Sequence, residues 1–223
     1  LFISWDSDQT NYLENLFLPI FKGLEERIDV KFYVLQFSWA KATEVERISS
    51  LANQLNIAYE HHPVWRKPHP ALGSMMTTLK GQKAIKRLVK SYGITHLMPR
   101  STMPAIMVNP ILEWLKEHDI KTIFDADGFP LQERVDYAGL KPNSLQYKWF
   151  KHVESKLLKR SNVILVRSEL AKEIHLKNIG FQHKNKIFKV SNGRSSTFFK
   201  PDPVSRERIR KELCLNPSTV LWL

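Results

Sequence analysis

The stretch "SNVILVRSELAKEIHLKN", residues 161–178, contains a complete strand-to-helix unit. Residues 162–166 form a short run in which apolar side chains follow one another without alternating with polar ones. Such a run indicates a strand that is buried on both faces of a parallel sheet. Ser168 then suits the N-cap of a helix over residues 169–178. A strand that leads at once into a helix is the repeating unit of α/β folds.

The same alternation runs along most of the chain. Predicted strands occupy residues 1–5, 30–37, 56–60, 94–98, 120–124, 162–166 and 186–191. Predicted helices occupy residues 11–26, 42–55, 74–92, 109–118, 144–160 and 169–178, and residues 126–143 are expected to form a loop. Right-handed crossovers between parallel strands place helices on both faces of the sheet. The predicted fold class is therefore α/β, with a doubly wound, mostly parallel, seven-stranded Rossmann-like sheet.

Local signals place several helix ends. Asn11 and Glu14 have the spacing of a capping pair at the start of the first helix. Asn109-Pro110 suits the start of a later helix, with asparagine as cap and proline at the first position. Gly93 suits the C-terminal cap of the helix over residues 74–92.

The composition indicates a globular protein with a basic surface. The chain has 223 residues, 43% of them hydrophobic, and a formal net charge of +12. This charge favours polyanionic partners, namely nucleic acid, an anionic membrane face or phosphate-bearing substrates. No run reaches the ~18 apolar residues of a membrane span, and the lone Cys214 is typical of a reducing compartment. We expect a cytoplasmic protein, with a peripheral place on the inner face of the plasma membrane as the further option.

The helix predicted over residues 74–92 has a basic face. Its cations are Lys80, Lys83, Lys86, Arg87 and Lys90. Two interpretations stay open for this face: a solvated helix surface, or a patch that meets a membrane or another polyanion.

Ligands of an open parallel sheet bind beyond the carboxyl ends of its strands, so the loops after strands hold the candidate site residues. After the first strand come Asp8, Gln9 and Thr10, which either bind substrate or merely cap the next helix. After the fourth strand come Arg100 and Ser101. Arginine suits a phosphate or a carboxylate, and a plain surface arginine is the alternative.

The loop "FDADGFP", residues 124–130, supplies the candidate catalytic residues. Asp125 and Asp127 follow the fifth strand, and Gly128 after them is a further candidate for substrate binding. Two carboxylates at this spacing can hold a hydroxyl-bearing substrate while one acts as a base. The alternative is structural: Asp125 satisfies the loop backbone, and Asp127 forms a turn with Gly128.

The sequence offers no clear metal or cofactor site. His61, His62 and His69 share one loop, but they lack the spacing of a metal site and a nearby acidic partner. No phosphate-binding glycine loop, nucleophile elbow or zinc motif is present. We therefore expect neither a bound metal nor a cofactor.

The stretch "SNGRSSTFFKPD", residues 191–202, marks a change of organisation. Asn192-Gly193 is typical of a hairpin turn, but no return strand follows. The interpretation we favour is that the chain passes here from one domain to the next. Residues 1–193 form a Rossmann-like domain, and residues 194–223 form a crossing segment. That segment contains a short basic helix over residues 206–214 and the first strand, residues 219–223, of a second domain.

Three phrases resemble one family: "FDADGFP", "WFKHVESKLLKRSNVILVRSELAKEI" and "KVSNGRSSTFFKPD". They resemble the group 1 glycosyltransferases of GT-B fold, mostly retaining enzymes that use nucleotide-sugars in polysaccharide and glycolipid synthesis. The Asn192-Gly193 pair with the later Phe199 and Pro201 matches one of the family's phrases. The resemblance covers most of the chain and is most specific in its last third.

The resemblance implies an acceptor-side domain, one half of a GT-B fold, whose partner domain binds the nucleotide-sugar as a co-substrate. The full protein would move a hexosyl group to an acceptor hydroxyl, in bacterial polysaccharide or glycolipid synthesis, and this half alone would be inactive. It implies a glycan or lipid-linked acceptor. The basic charge is compatible with peripheral contact with an anionic membrane, and we expect no nucleic acid because the sequence contains no nucleic-acid-binding motif. Asn192, Gly193 and Arg194 join the substrate-binding candidates because they lie in a matching phrase.

The chain departs from the family in two loops. The family's first loop usually has a glycine pair near the donor phosphates, whereas this chain has Ser7-Asp8-Gln9-Thr10. The family often has a histidine after the fifth strand, whereas this chain has Asp125 or Asp127 in that region. A different class of function also stays open, namely a basic Rossmann-like module that binds polyanions or nucleic acid without catalysis.

Overall fold

A computed structural model describes residues 1–8, 11–67, 69–193, 196, 199–216 and 218–220. The chain divides into two compact units, Leu1–Asn192 and Gly193–Leu223. The first unit holds the whole sheet and most of the helices. The second unit contains one helix among its described residues.

The first unit is built on a seven-stranded sheet in which every pairing is parallel. The strands are β1 Phe2–Asp6, β2 Tyr33–Ser38, β3 Ala58–Pro63, β4 His96–Pro99, β5 Lys121–Asp125, β6 Val163–Val166 and β7 Ile187–Lys189. Their order is β3-β2-β1-β4-β5-β6-β7. The order changes direction between β1 and β4, which is the topological switch point of a doubly wound sheet. The predicted fold class is thereby confirmed.

Helices connect the strands. They are α1 Leu18–Glu25, α2 Ala42–Gln54, α3 Pro70–Tyr92, α4 Thr102–Val108, α5 Leu112–Glu117, α6 Pro130–Tyr137, α7 Leu145–Arg160, α8 Glu169–Ile179 and, in the second unit, α9 Pro203–Glu212. A π-helical turn over Leu13–Phe17 precedes α1, and 3₁₀ turns occupy Asn109–Ile111 and Phe181–Lys186.

Two hydrophobic cores lie on the two faces of the sheet. Side chains alternate along each strand, so Ile3 and Leu35 belong to one core while Phe2 and Val34 belong to the other. The larger core includes residues of α3, α4, α7 and α8, and the smaller one includes residues of the π-helical turn, α1 and α2. β6 is apolar at all four of its positions, as expected of a strand whose two faces are both covered.

The first helix differs from its prediction in form and in its cap. The predicted single helix over residues 11–26 is a π-helical turn followed by α1. The capping pair is wrong, because the Glu14 side chain is buried and its Oε1 lies 2.5 Å from Nη2 of Arg47 on α2. Burying a carboxylate without a cationic partner costs more free energy than leaving a helix end without a second capping hydrogen bond.

Two later segments also differ from their predictions. Asn109 is no cap: α4 begins before it, at Thr102, and its buried Nδ2 donates a 2.8 Å hydrogen bond to the Val153 carbonyl of α7. The predicted loop over residues 126–143 contains α6, where Leu131 is buried and residues 132–137 are largely exposed. Without a repeating apolar pattern, a short polar helix leaves no periodic signal.

Other boundaries hold or shift slightly. Ser168 accepts the Ala171 N–H as predicted, and Gly93 ends α3 in the left-handed conformation, at φ +60°. The loop that was predicted to contain the histidine cluster is shorter than expected, because β3 extends to Pro63 and α3 begins at Pro70.

The second unit begins with residues that are only partly described. Asp202 caps α9 by accepting the N–H groups of Val204 and Ser205, each at 3.1 Å. The predicted helix over residues 206–214 thus starts three residues earlier, at Pro203. Residues 219 and 220 do not form the predicted strand, and its remaining residues, 221–223, lie outside the described residues.

Two helical glycines give a matched test of the packing between α3 and α4. A Cβ at Gly81 would lie 2.6 Å from the Met107 sulfur and 3.1 Å from Cζ of Phe37, whereas a Cβ at Gly23 in α1 meets nothing within 4 Å. We expect Gly81→Ala to lower the free energy of unfolding by about 1–3 kcal/mol through overpacking. Gly23→Ala should raise it by about 0.5–1 kcal/mol.

Urea unfolding followed by circular dichroism measures both changes. Equal effects of the two substitutions would contradict a tight contact between α3, α4 and β2 at Gly81.

Candidate functional site

Four charged side chains lie together where β4, β5 and β6 end. Arg100 directly follows β4, Asp125 ends β5 with Asp127 two residues later, and Arg167 directly follows β6. The carboxyl ends of adjacent parallel strands meet at one edge of the sheet, which is the edge where such folds bind ligands. We refer to Arg100, Asp125, Asp127 and Arg167 as the four-charge cluster.

Arg167 holds both carboxylates of the cluster. Its Nη2 donates to Oδ1 and Oδ2 of Asp125, at 2.7 and 2.9 Å, and its Nε donates to Oδ1 of Asp127 at 3.1 Å. Its Nη1 lies 3.4 Å from the Val190 carbonyl oxygen, just after β7. The planar guanidinium group therefore links the end of β5, the loop that follows β5 and the residue that follows β7.

Arg100 closes the cluster from the side of β4. Its Nη2 donates to Oδ2 of Asp127, and its Nε lies 3.7 Å from Oδ2 of Asp125. Its guanidinium carbon lies 4.9 Å from the Phe17 ring centre and 5.5 Å from that of Tyr12, within the range of cation–π attraction. Each carboxylate therefore lies between two guanidinium groups, and two positive formal charges balance two negative ones.

The backbone beside Arg100 is strained. Ser101 has φ +70° and ψ −173°, a combination that side chain-bearing residues rarely adopt and that costs roughly 1–3 kcal/mol. The Ser101 N–H donates to the Asp125 carbonyl at 3.2 Å, and Arg100 pairs with Asp125 in an isolated parallel bridge. This conformation turns the chain from β4 into α4 while keeping Arg100 against the end of β5.

Solvent reaches three of the four side chains. The side chain of Asp125 is fully buried, whereas those of Arg100, Asp127 and Arg167 are 15%, 19% and 20% exposed. A ligand that arrives from solvent can therefore contact Asp127 and the two guanidinium groups, but it cannot contact Asp125.

Burial sets the protonation behaviour of Asp125. Loss of hydration raises its pKa to about 6, and neighbouring Asp127 acts in the same direction. The charges of Arg167 and Arg100 and the hydrogen bond from Arg167 oppose this rise. Asp125 therefore changes charge in mildly acidic solution, well above the ordinary range of an aspartate.

The structure brings together some of the predicted site residues. Arg100, Asp125 and Asp127 meet in the four-charge cluster, and Ser101 and Gly128 shape its loops. Gly128 has φ +67°, in the region that favours glycine, and a Cβ there would lie 3.1 Å from Oε1 of Glu133.

The remaining predicted site residues stand apart from the cluster or outside the described residues. Asp8 accepts a 3.2 Å hydrogen bond from Nε1 of Trp39, on the side of β2. No hydrogen bond among the described residues joins Asn192 to the cluster, and Gly193 begins the second unit. Three further candidates lie outside the described residues: Gln9, Thr10 and Arg194.

Arg167 was not predicted to be a site residue. It directly follows β6, just as Arg100 follows β4, and the same argument from strand ends would have found it. The neighbouring Ser168 gave a clear capping signal, which accounted for this stretch of sequence without a role for Arg167.

A buried histidine supports the loop that carries Asp127. His175 of α8 is 1% exposed, and its ring lies 5.4 Å from that of Phe129 in a stacked arrangement. Burial lowers the pKa of His175 to about 4, with a smaller effect from Lys151, so this imidazole is neutral at pH 7. It packs behind the loop and offers no charge to the cluster.

The described residues contain no group of three or more His, Cys, Asp or Glu side chains that could hold a metal ion. Both carboxylates of the cluster already bind guanidinium groups, which leaves little negative charge for a cation.

A cavity of about 520 Å³ lies at the opposite, amino-terminal edge of the sheet, lined in part by Phe32, Tyr92 and Met98. It is remote from the charged side chains, and we assign the site to the carboxyl edge.

Asp125 gives a prediction about pH. Because its folded-state pKa lies above the ordinary value, the folded state binds its proton more tightly than the unfolded chain does. The stability that Asp125 contributes is therefore highest below pH 4 and falls as pH rises through about 6. Relative to Asp125→Asn, the free energy of unfolding of the wild type should drop on the order of 3 kcal/mol between these limits.

Urea unfolding at several pH values measures this difference, with the exposed Asp29→Asn as the matched control. A difference that instead grew with pH would mean that the two arginines outweigh the burial of the carboxylate.

No protein-family model matches the chain, and no curated protein matches it in sequence. Solved structures do match. A glycosyltransferase from Rickettsia africae has a TM-score of 0.57 at 14% identity, over 97% of this chain and 50% of that one. TcCGT1, solved with UDP, has a TM-score of 0.56 at 12% identity, over 95% of this chain and 54% of its own.

A third structure gives the same result. Phytolacca americana UGT2, solved with UDP-2-fluoro-glucose and pterostilbene, has a TM-score of 0.55 at 11% identity, over 90% of this chain and 57% of that one. This chain therefore spans about half the length of the structures that it matches. At these identities the likeness concerns the fold, and the chain has the fold of one half of a GT-B glycosyltransferase.

Proposed function

We propose that this chain is the acceptor-side half of a glycosyltransferase that transfers a hexosyl group from a nucleotide-sugar to an acceptor hydroxyl. The observation that carries the proposal is the four-charge cluster at the carboxyl edge of a sheet with the GT-B half fold. The neighbours solved with UDP or a UDP-sugar support a nucleotide-sugar as the donor. The donor would bind mainly to the other half of the protein.

The cluster suits the acceptor side of this reaction. In the transfer, the acceptor oxygen bonds to the anomeric carbon while the bond from that carbon to the nucleoside diphosphate breaks. The hydroxyl proton must leave, and a positioned carboxylate can accept it. Asp127 is the partly exposed carboxylate, so it takes the contact with the hydroxyl, while the flanking arginines fix its orientation.

Asp125 has a positioning role in this proposal. It is fully buried, and its two oxygens accept both hydrogen bonds from Nη2 of Arg167. Its charge keeps Arg167 and Arg100 in place beside Asp127, which corresponds to holding a catalytic group in a reactive geometry. The two carboxylates at this edge thus have different roles: Asp127 contacts the substrate, and Asp125 holds the arginines in place.

The sequence phrases that resemble group 1 enzymes support polysaccharide or glycolipid synthesis as the setting. The net charge of +12 supports a phosphate-bearing or lipid-linked acceptor and a peripheral contact with an anionic membrane. Among the described residues, no helix is both long and apolar enough to cross a bilayer.

Substitution of Asp127 tests the proposal in the protein that carries both halves. We expect Asp127→Asn to lower kcat/KM for the acceptor about 10²-fold or more, because the amide cannot accept the hydroxyl proton. Nucleoside diphosphate release with a panel of nucleotide-sugars and acceptors measures the rate. Asp136→Asn on the exposed side of α6 is the control, and an unchanged rate for Asp127→Asn would refute the role of Asp127.

The placement of the donor site gives a second test, on the 223-residue chain alone. Titration calorimetry with UDP-sugars and other nucleotide-sugars should show no binding at micromolar concentrations, because the donor contacts belong to the other half. Micromolar affinity for any of these donors would contradict an acceptor-side assignment.

A further inference from the structure

The outer face of α3 carries an exposed apolar stripe. Leu72, Met75, Met76 and Leu79 are 60%, 46%, 46% and 55% exposed. Their spacing of i, i+3, i+4 and i+7 places them on one side of the helix. Adjacent exposed apolar side chains of this size mark a contact surface more often than isolated ones do.

The opposite face fixes the orientation of α3. Its buried residues include Gly73, Thr77, Gly81 and Ile85. A Cβ at Gly73 would lie 2.1 Å from the Trp65 carbonyl oxygen, so the helix packs closely against the preceding loop. The apolar stripe cannot rotate into the core without breaking this packing, and it stays on the surface.

Positive charge continues along the same outer face. The spacing of the stripe extends to Lys83, Lys86 and Lys90 in the second half of the helix. None of the 23 residues of α3 is acidic. Lys80 lies 3.6 Å from the ring centre of Trp65, a residue that is 40% exposed in the loop before α3.

We propose that this outer face of α3 is a docking surface for an anionic lipid bilayer. The four apolar side chains enter the boundary between headgroups and acyl chains, while the lysines contact lipid phosphates. An exposed apolar stripe beside cations, on a helix too polar to span a bilayer, is the pattern of a helix that lies in the membrane interface.

The apolar stripe distinguishes this partner from a nucleic acid. Phosphate backbones attract lysine, but a duplex offers little that would cover two leucines and two methionines. A bilayer offers acyl chains to the apolar stripe and phosphate groups to the lysines. The proposal deepens the peripheral membrane contact given above by naming its surface, and it rests on the proposed function only for the presence of the acceptor in that membrane.

Vesicle co-sedimentation of the 223-residue chain tests the surface. One set of vesicles is phosphatidylcholine alone, and the other contains about one third phosphatidylglycerol, both at roughly physiological salt. We expect binding to the anionic vesicles, and about tenfold weaker binding or less for Leu72→Ser combined with Leu79→Ser. Leu145→Ser with Leu170→Ser is the matched control, because these leucines are 85% and 65% exposed on other helices.

A charge variant separates the two parts of the surface. Lys83→Gln should weaken binding to the anionic vesicles several-fold, since each cation near such a surface contributes attraction. Lys177→Gln on α8 is its control and should bind like the wild type. All four leucines are exposed, and thermal unfolding curves will show whether each variant keeps its fold.

Two results would overturn the proposal. One is undiminished vesicle binding by a folded Leu72→Ser, Leu79→Ser variant, and the other is tight binding to duplex DNA with none to anionic vesicles. The enzymatic proposal is tested separately, by transfer to a water-soluble acceptor in the protein with both halves. Asp127→Asn should lose that transfer and keep vesicle binding, and the stripe variant should do the reverse.

Discussion

The buried carboxylate of Asp125 is the constraint that organises the carboxyl edge of this sheet. It ends a central strand and has no exposed surface, so its charge must be met by the protein itself. Arg167 supplies two hydrogen bonds, and Arg100 lies on the other side. The strained Ser101 holds Arg100 there. The accessible part of the candidate site, at Asp127, thus lies beside a carboxylate that solvent does not reach.

The proposed catalytic site and the proposed docking surface depend on different parts of the same fold. The four-charge cluster lies where three parallel strands end, so its geometry comes from the sheet. The docking surface lies on the outer face of α3, and its character comes from residues that the core does not need. Substitutions can therefore change the four-charge cluster or the docking surface separately, because no residue belongs to both.

The fold class and the alternation of strands with helices could be predicted from the sequence, because most strands are short, largely apolar and separated by helices. The order of the strands in the sheet comes from the structure alone. The amphipathic pattern of α3 and the caps at Gly93 and Ser168 could also be predicted from the sequence. α6 was missed because few of its residues are buried, and the pairing of Glu14 with Arg47 was missed because their contact joins two helices. Local patterns do not report contacts between distant parts of the chain.

The site could be predicted only in part, for a related reason. Asp125, Asp127 and Arg100 follow strands and were found by that rule, but the rule could not say which carboxylate would be buried. Relative burial depends on how three loops pack together. Arg167 shows the same limit, since its role becomes visible only when β6 lies beside β5.

The balance of two positive and two negative charges within the four-charge cluster also constrains how the protein can evolve. Loss of Arg100 or Arg167 leaves a carboxylate short of a cationic partner in a largely buried place, a change that is strongly destabilising. A compensating change at a second position restores the balance, so the energetic effects of the two substitutions are coupled. Natural variants of this edge should therefore differ by pairs of opposite charges, with an arginine and an aspartate lost or gained together.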